Sequence, residues 1–330
     1  MKKNIVITTI YHPTEAVRSF SQLEEYNLIV VGDKKTPAIW NCKNTTYVSI
    51  EDQLKLDFEI VKVIPFNHYS RKMIGYLLAL QNDADYIIDT DDDNIPKEDW
   101  YFPEVKGEFD CIDMPCSFVN IYQLFTKQHI WPRGLPLNLI NKKLDIKKIS
   151  CTDYLNVGVW QGLADGSPDV DAIYRLTSDA PCNFTDRSPV VLSKGTVCPF
   201  NTQNTLLIKQ LFPLLYLPTH VTFRFTDILR GLIAQPIMWL YNYHLGFTSA
   251  TVIQKRNQHD YMKDFISEIP MYEHCGKIVD IVSKNISVNN SIIDNLYLAY
   301  RALQKKSIVC ENELITLNAW INDVKNISDC

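Results

Sequence analysis

The sequence predicts an α/β fold: an open, mostly parallel central sheet with a helical extension at its C-terminal end. Three observations carry the prediction. The chain begins strand–helix–strand, with short Ile/Val-rich runs of the kind buried on both faces of a parallel sheet. A later apolar run, Tyr86-Ile87-Ile88, passes directly into Asp89-Thr90-Asp91-Asp92-Asp93-Asn94. That places a crowd of carboxylates at a strand end, where open α/β sheets bind their ligands. After about Ile278, apolar residues such as Ile292, Leu296, Tyr300 and Leu303 recur at helical spacing with no chemical motif among them. On this reading residues 1–270 form the ligand-binding α/β unit, and residues 271–330 are helices packed on it.

Composition sets the outer limits. Of the 330 residues, 46% are hydrophobic and 22% charged, the balance of a globular protein with a substantial core. A formal charge of −5 argues against a nucleic-acid partner, while leaving room for a local basic pocket that takes one diphosphate. Met1-Lys2-Lys3 leads straight into an apolar run with no small-residue cleavage site, so no leader peptide is expected. No window holds the about 18 uninterrupted apolar residues of a spanning helix. The nearest, Gly231 to Phe247, is interrupted by Gln235, Pro236, Asn242 and His244 and reads as a buried core helix. Nine scattered cysteines without a Cys-x-x-Cys pair suggest free thiols in a reducing compartment. A cytoplasmic location is the expectation, with peripheral attachment at the inner membrane face left open.

Taken in order, Asn4 to Thr9 is the first strand, and its terminal Thr8 and Thr9 hydroxyls stand where a ligand would arrive. Pro13 to Tyr26 reads as a helix on the stripe Val17, Phe20 and Leu23. Leu28 to Val31 is the second strand, stopped by Gly32-Asp33, and Thr45 to Ile50 is a third. Ser70 to Gln81 is a helix with Ile74, Leu77 and Leu78 on one face. Arg71 and Lys72 occupy its first turn, the wrong end for cations by the helix dipole; either an anion compensates them or both point into water. The carboxylates after Ile88 would repel one another and raise one another's pKa values unless a divalent cation gathers them. The alternative is an ordinary acidic turn.

Phe109 to Met114 resembles another strand, Trp131 to Pro136 a loop, and Lys142 to Lys148 a solvated basic face. Between Asn156 and Asp171, three glycines and a proline speak against a long regular element. There Asp165, Asp169 and Asp171 either accept hydrogen bonds from sugar hydroxyls or simply form an acidic turn. Further on, Asp227 lies three residues from both Arg224 and Arg230, so one helical face can hold all three. They form an internal ion-pair ladder, or a carboxylate base flanked by phosphate-binding guanidinium groups. Gln254 to Tyr261 is polar and contains the lone His259.

Together these stretches resemble the GT-A nucleotide-sugar glycosyltransferases. More narrowly, Tyr69-Ser70-Arg71-Lys72 through Gly75-Tyr76 to the Asp89–Asn94 stretch is similar to the STELLO-type glycosyltransferases. Arg224 to Gly231 and Gln254 to Tyr261 are similar to later motifs of that family, and the match covers roughly Asn4 to Glu268. A second resemblance runs through Gly32-Asp33, the Asp91-Asp92-Asp93 triplet and Pro168-Asp169-Val170-Asp171-Ala172. It is to the reversibly glycosylated polypeptides, plant proteins that interconvert the pyranose and furanose forms of UDP-arabinose. No position matches those mutases' glycosylated arginine. No stretch here corresponds to the membrane anchor and long extra domain of the plant STELLO proteins, so a Golgi role is not implied.

The resemblance implies a Rossmann-like GT-A fold and metal-dependent transfer of a hexosyl or pentosyl group. The donor would be a nucleotide-diphosphate sugar, a UDP-sugar before others, and the acceptor a glycan or lipid-linked glycan, as in surface polysaccharide synthesis. Mn²⁺ or Mg²⁺ would be held by the DXD-type carboxylates Asp91 and Asp93 with His259, and Asp91 or Asp92 could instead hold ribose or a ligand water. Thr8, Thr9 and Asp33 would line the nucleotide pocket, Arg71 and Lys72 would meet the diphosphate, and Asn156 and Gly158 would shape the donor-sugar floor. Asp169, Asp171, Arg224 and Arg230 would meet sugar or acceptor, with Asp227 as general base. A nucleotide-sugar mutase and a non-catalytic sugar-nucleotide or glycan-binding protein are the alternatives.

Overall fold

In the computed structural model, residues 1–144, 149–255 and 260–328 are described. Strand β1 (Lys3–Thr9) is buried along most of its length because Ile5, Val6 and Ile7 are covered on both sheet faces. The short helix α1 (Glu15–Phe20) is capped by the Thr14 hydroxyl, which accepts from the Val17 amide. It returns the chain to β2 (Tyr26–Gly32), and β3 (Thr45–Val48) adds outside it. All three strands run parallel, with Thr9 level with Gly32. After α2 (Ile50–Lys55) and α3 (Glu59–Val63), helix α4 (Lys72–Gln81) lies against β1 and feeds β4 (Tyr86–Thr90). That strand pairs parallel with the free side of β1. Strands β2 and β3 thus extend to one side of β1 and β4 to the other, which opens a crevice at the carboxyl ends of β1 and β4.

The chain continues through β5 (Asn94–Pro96), β6 (Lys106–Ile112), β7 (Ser117–Phe118) and the long β8 (Ile149–Gly166). Helix α5 (Ala172–Thr177) precedes β9 (Val190–Leu192), β10 (Thr196–Val197) and β11 (Asn204–Ile208). Then come α6 (Thr226–Leu240), β12 (His244–Gln254), α7 (Tyr261–Ser283), α8 (Ile292–Gln304) and α9 (Glu311–Ser328).

Among the described residues, 10 strands share one sheet in the order β3-β2-β1-β4-β11-β8-β6-β9-β12-β5, and β7 pairs with β10 apart from it. The sheet is mixed, not mostly parallel as the sequence predicts. Strand β11 runs antiparallel to both β4 and β8, and the pairs β6–β8, β9–β12 and β5–β12 are antiparallel too. Connectivity explains this. A parallel neighbour needs a crossover long enough to carry the chain back, and between β4 and β11 the only α-helix among the described residues is the six-residue α5. Strand β12 also pairs parallel with β8, so β8, β6, β9 and β12 close a ring of pairings.

Two local expectations are corrected. The glycine-bearing stretch from Asn156 does not break up: β8 runs through Gly158 and Gly162 to Gly166. Those two glycines serve close packing, since a Cβ at either would fall 2.3 Å from Leu211 or from Asn204. The apolar stretch Gly231 to Phe247 is divided, with buried α6 ending at Leu240 and β12 starting at His244. Among the described residues no helix is long and apolar enough to cross a membrane.

The last helix docks on the connection from β3 to β4. Helix α3 has no capping side chain of its own, and the Asp323 carboxylate of α9 accepts from the Glu59 and Ile60 amides, each at 2.8 Å.

Candidate active site

The crevice at the ends of β1 and β4 is a cleft of about 410 Å³. Its first wall is the acidic strand end. Asp91, Asp92 and Asp93 leave β4 beside Thr8, Thr9 and Asp33, which leave β1 and β2. The Thr9 hydroxyl donates to Asp92 Oδ2 at 2.5 Å. The Asp33 carboxylate accepts from the amides of Lys34 (2.7 Å) and His68 (3.1 Å), which fixes the loop after β2. Asp93 Oδ2 accepts from Gln254 Nε2 at 3.2 Å.

Beneath this wall runs a buried charge chain. The Lys72 ammonium donates to Asp89 (2.9 Å), Asp91 (2.8 Å) and the Thr90 carbonyl (2.8 Å), while Arg230 holds the other Asp89 oxygen at 2.8 Å. Burial nevertheless pushes the Asp91 carboxyl up to about 6 against the pull of Lys72, and it raises Asp92 as well. Crowding adds to the effect of burial, since the neighbouring Asp89 and Asp92 charges raise Asp91 further. Among the described residues no three His, Cys, Asp or Glu side chains are grouped to hold a metal ion, and His259 lies outside the described residues.

The second wall carries its own buried cation. Arg133 enters from a turn in which Gly134 has φ +89°, and a Cβ on Gly134 would lie 2.4 Å from Ile228 of α6. The Arg133 guanidinium donates to both Asp169 oxygens (2.8 Å each) and to both Asp227 oxygens (2.9 and 2.8 Å), and it reaches the Arg224 carbonyl. Asn201 adds a bond to Asp169 at 2.8 Å. Burial alone would raise the Asp169 carboxyl; the Arg133 charge outweighs it and holds that group below the usual carboxylate range. Between the walls stand His68, Tyr69 and Phe223. The Ser70 amide donates into His68 Nδ1, so the proton sits on Nε2, and burial lowers the imidazole to about 4.

The cleft thus brings together Thr8, Thr9, Asp33, Asp91, Asp92, Asp93, Asp169, Arg224 and Asp227. Other expected residues lie elsewhere. Arg71 is buried on the Gln53 carbonyl oxygen (2.8 and 2.5 Å) and over the Phe66 ring, and neither it nor Lys72 lines the cleft. Asn156 and Gly158 are in β8, outside the cleft lining. Asp171 caps α5, accepting from the Tyr174 amide (2.9 Å) and the Trp131 indole (2.7 Å). Nor do Arg224, Asp227 and Arg230 form a shared ladder. Helix α6 begins only at Thr226, and the three pair separately with Glu268, Arg133 and Asp89.

A large mixed sheet with helices and a polar cleft at its switch point is compatible with a Rossmann-like glycosyltransferase fold. A family model described as STELLO glycosyltransferases matches residues 224–329. The chain is 26% identical over 351 residues to "Probable glycosyltransferase STELLO2" of Arabidopsis thaliana, and 26% identical over 353 residues to "Probable glycosyltransferase STELLO1" of the same plant. Each alignment covers 98% of this chain and 44% of the relative, so the chain spans less than half the length of the curated relatives it matches. Together these findings support assignment of the chain to the STELLO-type glycosyltransferases.

Proposed function

We propose that the cleft is the site of a GT-A-type, metal-dependent glycosyl transfer from a nucleotide-diphosphate sugar, a UDP-sugar before others, to a glycan or lipid-linked glycan hydroxyl. One observation carries the reading: Asp91, Asp92 and Asp93 stand crowded at the switch point, two of them with raised proton affinity. A cation relieves that conflict. Carboxylate oxygens suit Mg²⁺ or Mn²⁺. Such ions take one or two carboxylates and complete their shell with water and substrate phosphate, which fits a wall without a closed three-ligand group among the described residues. Asp91 and Asp93 would hold the ion, and His259 joins them on the family resemblance alone. When bound, the ion would neutralise the charge of the departing diphosphate.

The chain's own residues do the rest. Thr8, Thr9 and Asp33 present hydroxyl and carboxylate groups to the nucleotide. Arg224, held by Glu268 at 2.8 Å, offers donors to the sugar or acceptor. Asp227 acts as general base: Arg133 and the Ile228 amide fix the carboxylate's orientation, and Oδ2, approached only at 3.5 Å by the Thr202 hydroxyl besides Arg133, is the oxygen that would take the acceptor's proton. We also infer a cytoplasmic location, supported by Cys42, Cys111, Cys116, Cys182, Cys198, Cys275 and Cys310 all being free thiols.

A thermal-shift titration with UDP tests the proposal. Melting temperature is expected to rise with UDP and Mn²⁺ together and to stay put with UDP and EDTA, because a ligand bound only by the native state stabilises it. Asp93→Ala is expected to abolish the difference. An equal UDP shift with Mn²⁺ and EDTA would overturn the metal assignment, and furanose formed from a UDP-sugar alone would redirect the reading to a mutase.

A further inference from the structure

We propose that Phe223, braced by Tyr69 and His68, is the platform on which a saccharide acceptor docks by its apolar C–H face. This rests on the glycosyltransferase reading of the same cleft and names what fills its second half.

Phe223 lines the cleft yet remains 52% exposed. A single exposed aromatic is ordinary on a protein surface. This one differs in being held. Its ring stands at 71° to both Tyr69 (centroids 4.7 Å apart) and His68 (5.2 Å), and those two rings lie within 11° of parallel. The Tyr69 hydroxyl donates to the Phe223 carbonyl at 3.2 Å and accepts from the Asp227 amide at 3.1 Å. The platform is thereby tied to the second wall, and its ring cannot fold away without breaking those contacts.

The chemistry beside it selects the ligand. Asp169 and Asp227 are already paired with Arg133, and Asn201 and the Ile228 amide each take a further site, so the acceptor sites left suit hydroxyls and a phosphate gains nothing beside them. A pyranoside offers both halves of the match. Its axial C–H groups carry partial positive charge toward the negative face of an aromatic ring, and its equatorial hydroxyls suit the carboxylates that line the cleft.

Saturation-transfer NMR with methyl β-D-galactopyranoside and methyl β-D-glucopyranoside tests this, with UDP and Mn²⁺ present. The wild type is expected to pass saturation mainly to ring C–H protons of at least one glycoside. Phe223→Ala and Phe223→Leu are expected to weaken its binding by about 2–10-fold, the range of one aromatic contact, while Phe223→Trp retains it. Phe223→Leu keeps an apolar side chain, and melting curves confirm that each variant is folded. No transfer to either glycoside, or equal transfer in wild type and Phe223→Leu, overturns the platform. The UDP shift of the wild type is read separately. Its absence alongside a Phe223-dependent glycoside signal would sink the nucleotide-sugar reading and support the platform.

Discussion

The two walls of the cleft present the same side chain, aspartate, in opposite electrical settings. On the strand-end wall, burial outweighs the single ammonium of Lys72, and Asp91 and Asp92 hold protons more tightly than ordinary carboxylates. On the facing wall, one buried guanidinium serves two carboxylates, and Asp169 holds its proton less tightly. The difference separates two tasks. A wall of crowded carboxylates invites a cation, and a wall whose carboxylates are already forked by one guanidinium can receive uncharged hydroxyls.

The largest effect expected from breaking this contrast is on turnover. Asp227→Asn removes the proposed base, and transfer is expected to fall about 10²–10⁴-fold in a steady-state assay with a UDP-sugar donor. Wild-type turnover would return Asp227 to a purely structural role. Next in size is Arg133→Met, which leaves two buried carboxylates without their partner. It is expected to destabilise the fold by about 3–5 kcal/mol in urea unfolding. Arg133→Lys should restore only part of that, because a point ammonium cannot fork to both carboxylates. A loss within the scatter of surface substitutions would show that the second wall is not held as described.

The smallest effect sharpens the comparison through pH, in the absence of divalent cations. Asp91 titrates near 6 when folded against 3.8 when free, so between those values the native state takes up a proton that the unfolded chain does not. Its contribution to stability therefore grows as pH falls through 6. Asp169 behaves oppositely: its contribution is full above 3.8 and is lost as acid carries the pH down through its depressed folded pKa. Melting temperature against pH should accordingly lose a gain between pH 7 and about 5 in Asp91→Asn. An unchanged profile would mean that Asp91 is as well compensated as Asp169.

How much of this was legible in the sequence follows from how each wall is assembled. The strand-end wall is contiguous, so an apolar run turning into Asp91-Asp92-Asp93 announces both the strand and its charge. The facing wall joins Arg133 to Asp169, 36 residues on, and to Asp227, 94 residues on. Spacing rules reach only three or four residues, and at Asp227 they pointed to Arg224 and Arg230 instead. An arginine between Pro132 and Gly134, in a loop flanked by Trp131, was the available signal, because a tight turn gives such a side chain little freedom. The opposite error occurred at Arg71 and Lys72. Their place in a helix's first turn suggested an outside anion, but Gln53 holds Arg71, and Asp89 and Asp91 hold Lys72, from within. Strands built on β-branched runs were read correctly as strands. Glycines misled in β8, where they accommodate neighbours rather than end the strand.

The Asp323 contact has a consequence for the order of events during synthesis. Helix α3 leaves the ribosome well before α9, and the carboxylate that caps it arrives 264 residues after Glu59. A nascent chain can therefore pair β1 with β2 early while the start of α3 waits, its amides turned to water, until α9 has been made.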